Sequence, residues 1–415
     1  STAILSNPDA ITTRSLSNDE PATAIFDSSQ NSQGPFIASP HNLTEDLSPL
    51  VGREKEITEI EGLLSRGEFR LVTLTGIGGT GKTRLALAAA WRMLLNFPDG
   101  VFFVNLAPII DSKLVASVIA QTLGVQESGS EPILEALKSH LAGRKMLLVV
   151  DNFEQVSQAA SDIEKLINVD SNLRVLVTSR EPLRLRAECE FAVPPLALPS
   201  EAERLSVAGL SEYESIRFFV ERAQAVKSEF VLSDANASQV AAICRSLDGL
   251  PFAIELAAAR IKLFEPQTIL SRLSSSLKFL TGGAKELPER RQTMRGAIAW
   301  SYDLLNAEEK QLLDRLSVFA GGFTIESAEA VGAEQGSEIL DTISSLLDKN
   351  LIARMNQQGG EPRFRMLVVV REFALEKLEL TGTSEDTRRR HAAFYAELAE
   401  QAEPELRASR ASDWL

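Results

Sequence analysis

Apolar residues in the first half of the chain fall into short unbroken runs, at 71–75, 101–106, 146–150, 173–178 and 191–193. Between these runs the apolar positions spread out to helical spacing, as at 84–95, 114–123 and 133–141. A run that is apolar throughout suits a strand covered on both faces, so the alternation predicts a parallel five-stranded sheet with helices on either side. Amphipathic helices are then predicted over 292–304, 307–319 and 337–349, followed by short strands at 351–355 and 363–366.

The first apolar run leads into Gly76-Ile77-Gly78-Gly79-Thr80-Gly81-Lys82-Thr83, a complete G-x-x-x-x-G-K-S/T loop, and a helical stretch follows. Strand, glycine-rich loop and helix in that order are the context this motif requires. Gly76, Gly78, Gly79 and Gly81 let successive backbone N–H groups, with that of Thr80, turn inward on phosphate oxygens. Lys82 reaches the β/γ oxygens and Thr83 offers a hydroxyl to Mg2+. Arg84 comes next at the helix start, where the helix dipole adds partial positive charge. These residues predict binding of a nucleoside triphosphate.

The run 146–150 ends in Asp151, the form of a buried strand that delivers one carboxylate at its C-terminal edge. A Walker B aspartate holds Mg2+ from that position, and a helix-capping turn is the alternative. Asn152 follows where many ATPases place a second acid, and an amide cannot accept a proton. Glu154 can, although an acid there equally suits the first turn of a helix. The catalytic candidates are thus Asp151, Glu154 and Lys82, the metal candidates Thr83 and Asp151, and weak hydrolysis is expected. The fourth run ends in Thr178-Ser179-Arg180, which would place a guanidinium near the γ-phosphate to report on triphosphate against diphosphate. A surface salt bridge is the other reading of Arg180.

At 415 residues the chain suits two to four domains. A net charge of -14 and an isoelectric point near 5.0 argue against a nucleic-acid surface, and no basic stripe is evident. Cys189 and Cys244 are too few for a disulfide scaffold or a zinc site, and His41, His140 and His391 complete no ligand set. No apolar run approaches a membrane span and no signal peptide opens the chain, so a cytoplasmic protein with no membrane partner is expected. Residues 1–48 hold six acids, one base (Arg14) and many small polar residues without apolar period, which predicts a disordered linker. The chain starts at Ser1 and stops abruptly at Trp414-Leu415, as an internal fragment would.

In their order along the chain, the motifs resemble the STAND class of signal-transduction ATPases, specifically NB-ARC-like modules of bacterial LuxR-type and AfsR-type regulators. Plant resistance proteins and apoptosome scaffolds are more distantly similar. Besides the phosphate loop, the resemblance rests on Val51-Gly52-Arg53-Glu54, Asp151-Asn152-Phe153-Glu154, Thr178-Ser179-Arg180 and Gly249-Leu250-Pro251-Phe252-Ala253-Ile254-Glu255-Leu256. Two further stretches, 299–305 and 316–323, complete it, over about residues 49–415.

The resemblance implies a P-loop ATPase domain at 49–205, a helical lid at 206–285, a winged helix at 286–382 and the start of helical repeats, of tetratricopeptide type, at 383–415. It implies that Val51 and Arg53 pack on the adenine side of ATP or ADP, and that Pro251 fixes the lid loop against the adenosine. It also implies a winged helix that folds back as a clasp rather than reading DNA. Eukaryotic relatives carry Met-His-Asp after the last strand, whereas this chain has Met366-Leu367-Val368, and Leu367 cannot donate a hydrogen bond to a phosphate. Arg371 and Arg365 are the candidate substitutes.

The function so implied is a switch, locked by ADP, opened by an inducer with ATP exchange and self-association, and acting on transcription through other domains. Three alternatives remain: a constitutive ATPase, a regulator that binds DNA through the winged helix, and a defence or cell-death sensor.

Overall fold

The computed structural model describes residues 39–44, 50–66, 68–126, 131–200, 206–273, 293–332, 339–355 and 361–406. The first layer of structure is α1 (Glu54–Ser65), β1 (Leu71–Thr75), α2 (Lys82–Arg92), β2 (Val101–Asn105), α3 (Val115–Leu123), α4 (Ile133–Leu141), β3 (Leu147–Asp151), α5 (Ala160–Ile167), β4 (Arg174–Thr178) and β5 (Glu188–Ala192). The five strands are all parallel, in the order β2-β3-β4-β1-β5. Every residue of β1 and β3 is buried, as a central strand with both faces covered demands. One face packs on α3, α4 and α5 through Ile119, Leu137 and Ile163, the other on α1 and α2 through Ile60 and Leu85. Parallel strands place their C-terminal ends on one edge, and the glycine-rich loop, Asp151 and Thr178 meet there.

The expected linker over 1–48 needs correction at residues 39–44. Val101 donates to Pro40 O at 2.9 Å, and Asn42 exchanges two hydrogen bonds with the backbone of Phe103. The unpaired groups of edge strand β2 and a pocket for Leu43 hold this segment in place. Residues 1–38 and 45–49 lie outside the described residues.

A helical layer follows: α6 (Val207–Leu210), α7 (Glu214–Val226), α8 (Ala237–Ser246), α9 (Pro251–Ala258) and α10 (Pro266–Leu273). Pro251 opens α9 at its first position, where the missing N–H costs nothing and the fixed φ already suits a helix. Next come α11 (Met294–Asp303), α12 (Ala307–Leu316), β6 (Phe323–Thr324), α13 (Ile325–Gly332), α14 (Leu340–Asp348), β7 (Ile352–Arg354), β8 (Arg363–Met366), α15 (Val368–Thr381) and α16 (Ser384–Leu406). The strands form an antiparallel sheet in the order β6-β8-β7, and α12 starts on a capping box in which Asn306 and Glu309 satisfy each other's backbone N–H groups. Sequence periodicity missed β6, α13 and α15. The first is two residues long, and the second has too few large apolar residues to show a period.

The helical layer and the winged helix share one continuous core, from Phe219 and Ile254 to Leu316 and Phe373, and Ile77 of the phosphate loop is buried in it. α16 packs on α13 and rests His391 and Tyr395 against Phe319. It is a single helix, from which no repeat period can be read.

Burial raises the pKa of two carboxylates in this part of the chain, Asp314 and Asp248. Asp314 accepts from the Tyr302 hydroxyl at 2.8 Å, and its other oxygen is buried without a hydrogen bond. Burial pushes its carboxyl up to about 6 against the pull of Tyr302, Lys377 and Lys310. Burial likewise pushes Asp248 up to about 6, opposed by the Val368 amide and Arg365. A carboxyl whose pKa is raised by folding binds more proton in the native than in the unfolded state, so its contribution to stability falls as pH rises from about 4 to about 6. Urea unfolding should therefore show Asp314→Asn gaining on the parent protein at neutral pH and losing that advantage near pH 4. A stability difference that does not change with pH would show that Asp314 does not titrate in that window.

Candidate nucleotide site

The loop from Gly76 to Thr83 bends from the end of β1 into α2, with Gly79 at φ 94°. A β-carbon on Gly79 would press on Phe252 at 3.0 Å, so glycine there serves both the turn and the approach of α9. Lys82 Nζ donates to Gly76 O at 2.6 Å and to Ile77 O at 3.2 Å, which holds the ammonium over the loop. Thr80 is buried and ties its hydroxyl to Ile77 O at 3.0 Å.

Asp151 ends β3 beneath this loop. Its Oδ1 accepts from Thr83 Oγ1 at 2.7 Å and from Thr178 Oγ1 at 2.5 Å, and its Oδ2 accepts from the Asn152 amide. Thr178 Oγ1 in turn accepts from Asn152 N at 3.1 Å. A hydroxyl beside one carboxylate is a hard oxygen donor set, which suits Mg2+ completed by phosphate and water. Thr83 and Asp151 would hold it, and it would supply charge neutralisation on the phosphates.

Arg180 follows β4 and is nearly buried, with a side chain 7% exposed. Its Nε donates to Glu154 Oε1 at 3.1 Å, and its Nη1 donates to Ala297 O at 3.3 Å and to Ser301 Oγ. The guanidinium lies 4.1 Å from the centre of the Trp300 ring, and the Arg180 carbonyl accepts from Asn350 at 2.9 Å. The surface salt bridge read from sequence is thus replaced by a buried one. A cavity of about 260 Å³ joins the loop to Glu154 and Arg180, and Asp151, bonded to Thr83, does not itself line it. Its walls include Gly78, Gly79, Gly81, Lys82, Thr83 and Arg84 from the loop, Glu154 and Arg180 from the sheet edge, Pro251 from α9, and Trp300 from α11.

The structure does not bring every candidate to this wall. Val51 packs instead on the core shared by the helical layer and the winged helix. Arg53 is buried, pairs with Glu56 at 2.9 Å and donates to Thr80 O at 3.4 Å, so it braces the loop from behind. Arg371 donates to Ser317 O and Arg365 pairs with Asp248 at 3.8 Å; neither lines the cavity. Sequence reasoning left Trp300, Ser301 and Phe252 without a role, although all three stood in quoted motifs. Glu255, from the same motif as Phe252, also lines the cavity, as does Phe218, which nothing in the local pattern marks.

Two family models match the chain, an AAA domain over residues 66–185 and a winged helix-turn-helix domain over residues 305–379. "Uncharacterized protein Rv0894" of Mycobacterium tuberculosis is 35% identical over 84% of this chain and 86% of its own length. "Putative HTH-type transcriptional regulator Rv0890c" of the same organism is 37% identical over 80% of this chain and 36% of its own. "Regulatory protein AfsR" of Streptomyces coelicolor is 25% identical over 89% of this chain and 36% of its own. The chain thus spans about a third of the length of the two regulators.

Proposed function

The chain belongs to the family of the mycobacterial protein Rv0894, with an AAA domain and a winged helix, and we propose that it is a nucleotide-operated switch of a bacterial regulator. ADP holds the ATPase domain at 49–205, the lid at 206–285 and the winged helix at 286–382 together; ATP with Mg2+ releases them. The observation that carries this reading is Arg180. One buried guanidinium pairs with Glu154 in the nucleotide domain and is clasped by Trp300 and Ser301 of α11. A γ-phosphate arriving beside it competes for its donors, and that differential contact is what a ligand needs to shift a conformational equilibrium.

The same contact accounts for slow turnover. Glu154 is the available base and is engaged by Arg180, while Asn152 cannot take a proton. Lys82, Thr83 and Asp151 bind phosphate and Mg2+, and slow hydrolysis resets the switch. An inducer acting outside this chain would permit exchange, with self-association in the ATP state and transcription as the output.

The family match to a winged helix-turn-helix favours a second reading, direct DNA binding. The charge pattern of α14, the third helix of that module, opposes it. α14 carries Asp341 and Asp348 and no basic residue, Asp348 pairs with Arg184 of the nucleotide domain at 2.6 Å, and neighbouring Lys349 is held by Glu309. Phosphate contacts need clustered cations, so the winged helix is better suited as a clasp.

The test is to purify the chain without added nucleotide, denature it and identify what it releases, beside a steady-state ATPase assay and a DNA titration at two salt concentrations. Bound ADP with very slow turnover and no salt-dependent DNA affinity is expected. An empty protein with rapid turnover would favour a constitutive ATPase, and salt-dependent DNA affinity would favour the second reading.

A further inference from the structure

The loop before α9 joins the phosphate loop to the winged helix through five residues. At one end, Phe252 N donates to Gly79 O at 3.2 Å, so the first turn of α9 is bonded directly to the phosphate loop. At the other end, Asp248 Oδ2 accepts from Val368 N at 2.6 Å, and its Oδ1 lies 3.8 Å from Arg365. Between them the backbone has little freedom. Gly249 sits at φ 67°, donates to Cys244 O and accepts from Leu196 N at 2.9 Å, and a β-carbon there would fall 2.3 Å from Leu196 O. Pro251 fixes the next turn.

Val368 is the first residue of α15, and Leu367 before it offers no side-chain cap. The first N–H groups of a helix have no partner within it, so a carboxylate from another element that accepts one of them caps the helix in trans. Asp248 is buried with 6% exposure, and its contact with Val368 spans 120 residues of sequence.

We propose that Asp248 is the latch between lid and winged helix, and that residues 248–252 transmit a movement of the phosphate loop to α15. Leu367 stands where a phosphate-touching histidine was expected, and the latch closes the same two elements without reaching the nucleotide. A shift of the Gly79 carbonyl on phosphate binding moves Phe252, and the rigid turn moves Asp248 with it.

The transmission step rests on the nucleotide-switch reading; the latch does not. Asp248→Ala removes the acceptor, and Val368→Pro removes the donor. Proline is well tolerated at the first position of a helix, and Leu367, at φ -60° and ψ 142°, already has the extended conformation that a residue before proline needs. In the full chain, Asp248→Ala should expose the Val368 amide to hydrogen exchange, while Asp248→Asn, which keeps an acceptor oxygen, should retain most of the protection. Unchanged protection in Asp248→Ala overturns the latch.

The rate of ADP release then reads the transmission. Each single variant should release ADP about tenfold faster, the scale of a hydrogen bond to a charged group, and the double variant no faster than the faster single. Unchanged release from a protein that holds ADP, or rates that multiply in the double variant, overturn the transmission. A parent protein that binds no ADP sinks the switch reading and the transmission with it, and leaves the exchange result to decide the latch.

Discussion

A Lys82→Ala protein is expected to come through purification free of nucleotide, with affinity for both ATP and ADP reduced by about a hundredfold or more. Lys82 is the one ammonium in the cradle wall among the described residues, held over the loop by the carbonyls of Gly76 and Ile77. Charge-assisted bonds to phosphate are about twice as strong as neutral ones, at roughly 1.5–3 kcal/mol each, and each 1.4 kcal/mol is about a factor of ten in affinity. The fold should survive, because the side chain is only partly buried. Calorimetric titration of the variant with Mg2+ and either nucleotide checks this. Affinities equal to those of the parent would remove the phosphate loop from the account.

The second large effect is expected at Arg180. Arg180→Ala leaves Glu154 as a buried carboxylate without its cation and strips α11 of the guanidinium that Trp300 and Ser301 enclose. Breaking one side of a buried ion pair costs about 3–5 kcal/mol. The variant should therefore unfold at lower temperature, and adding Glu154→Gln should recover part of the loss by removing the orphaned charge. The same change should narrow the difference between ATP and ADP affinity, since the group argued to compete for the γ-phosphate is gone. A protein of parental stability that still separates the two nucleotides would show that Arg180 neither closes the interface nor senses phosphate.

The nucleotide domain was legible in the sequence because its evidence is local. Eight consecutive residues spell the phosphate loop, and residues 146–150 are apolar throughout, as only a strand buried on both faces requires. β5 was placed late, at 191–193 rather than Glu188–Ala192, because it is an edge strand whose polar positions interrupt the apolar run. The winged-helix elements were found within a few residues, apart from β6, α13 and α15.

What the sequence does not display is which distant residues meet. Asp248 and Val368, Arg180 and Trp300, and Arg53 and Thr80 are each paired by the packing of separate elements. Nothing in the spacing of residues 248 and 368 reports that a lid carboxylate caps α15. Val51 and Arg53 show the converse: the two were read together as an adenine-side motif, but Val51 packs on the shared core and Arg53 donates to Thr80 O.

The central claim is that nucleotide identity sets the distance between the nucleotide domain and the winged helix. Leu95 and Leu380 are 75% and 81% exposed, one beside α2 and the other on α15, so each can carry a cysteine-linked spin label once Cys189 is replaced by serine. One short distance is expected with ADP, and a second, longer population with Mg2+ and a non-hydrolysable ATP analogue. Identical distance distributions in both states, with both nucleotides bound, would contradict it.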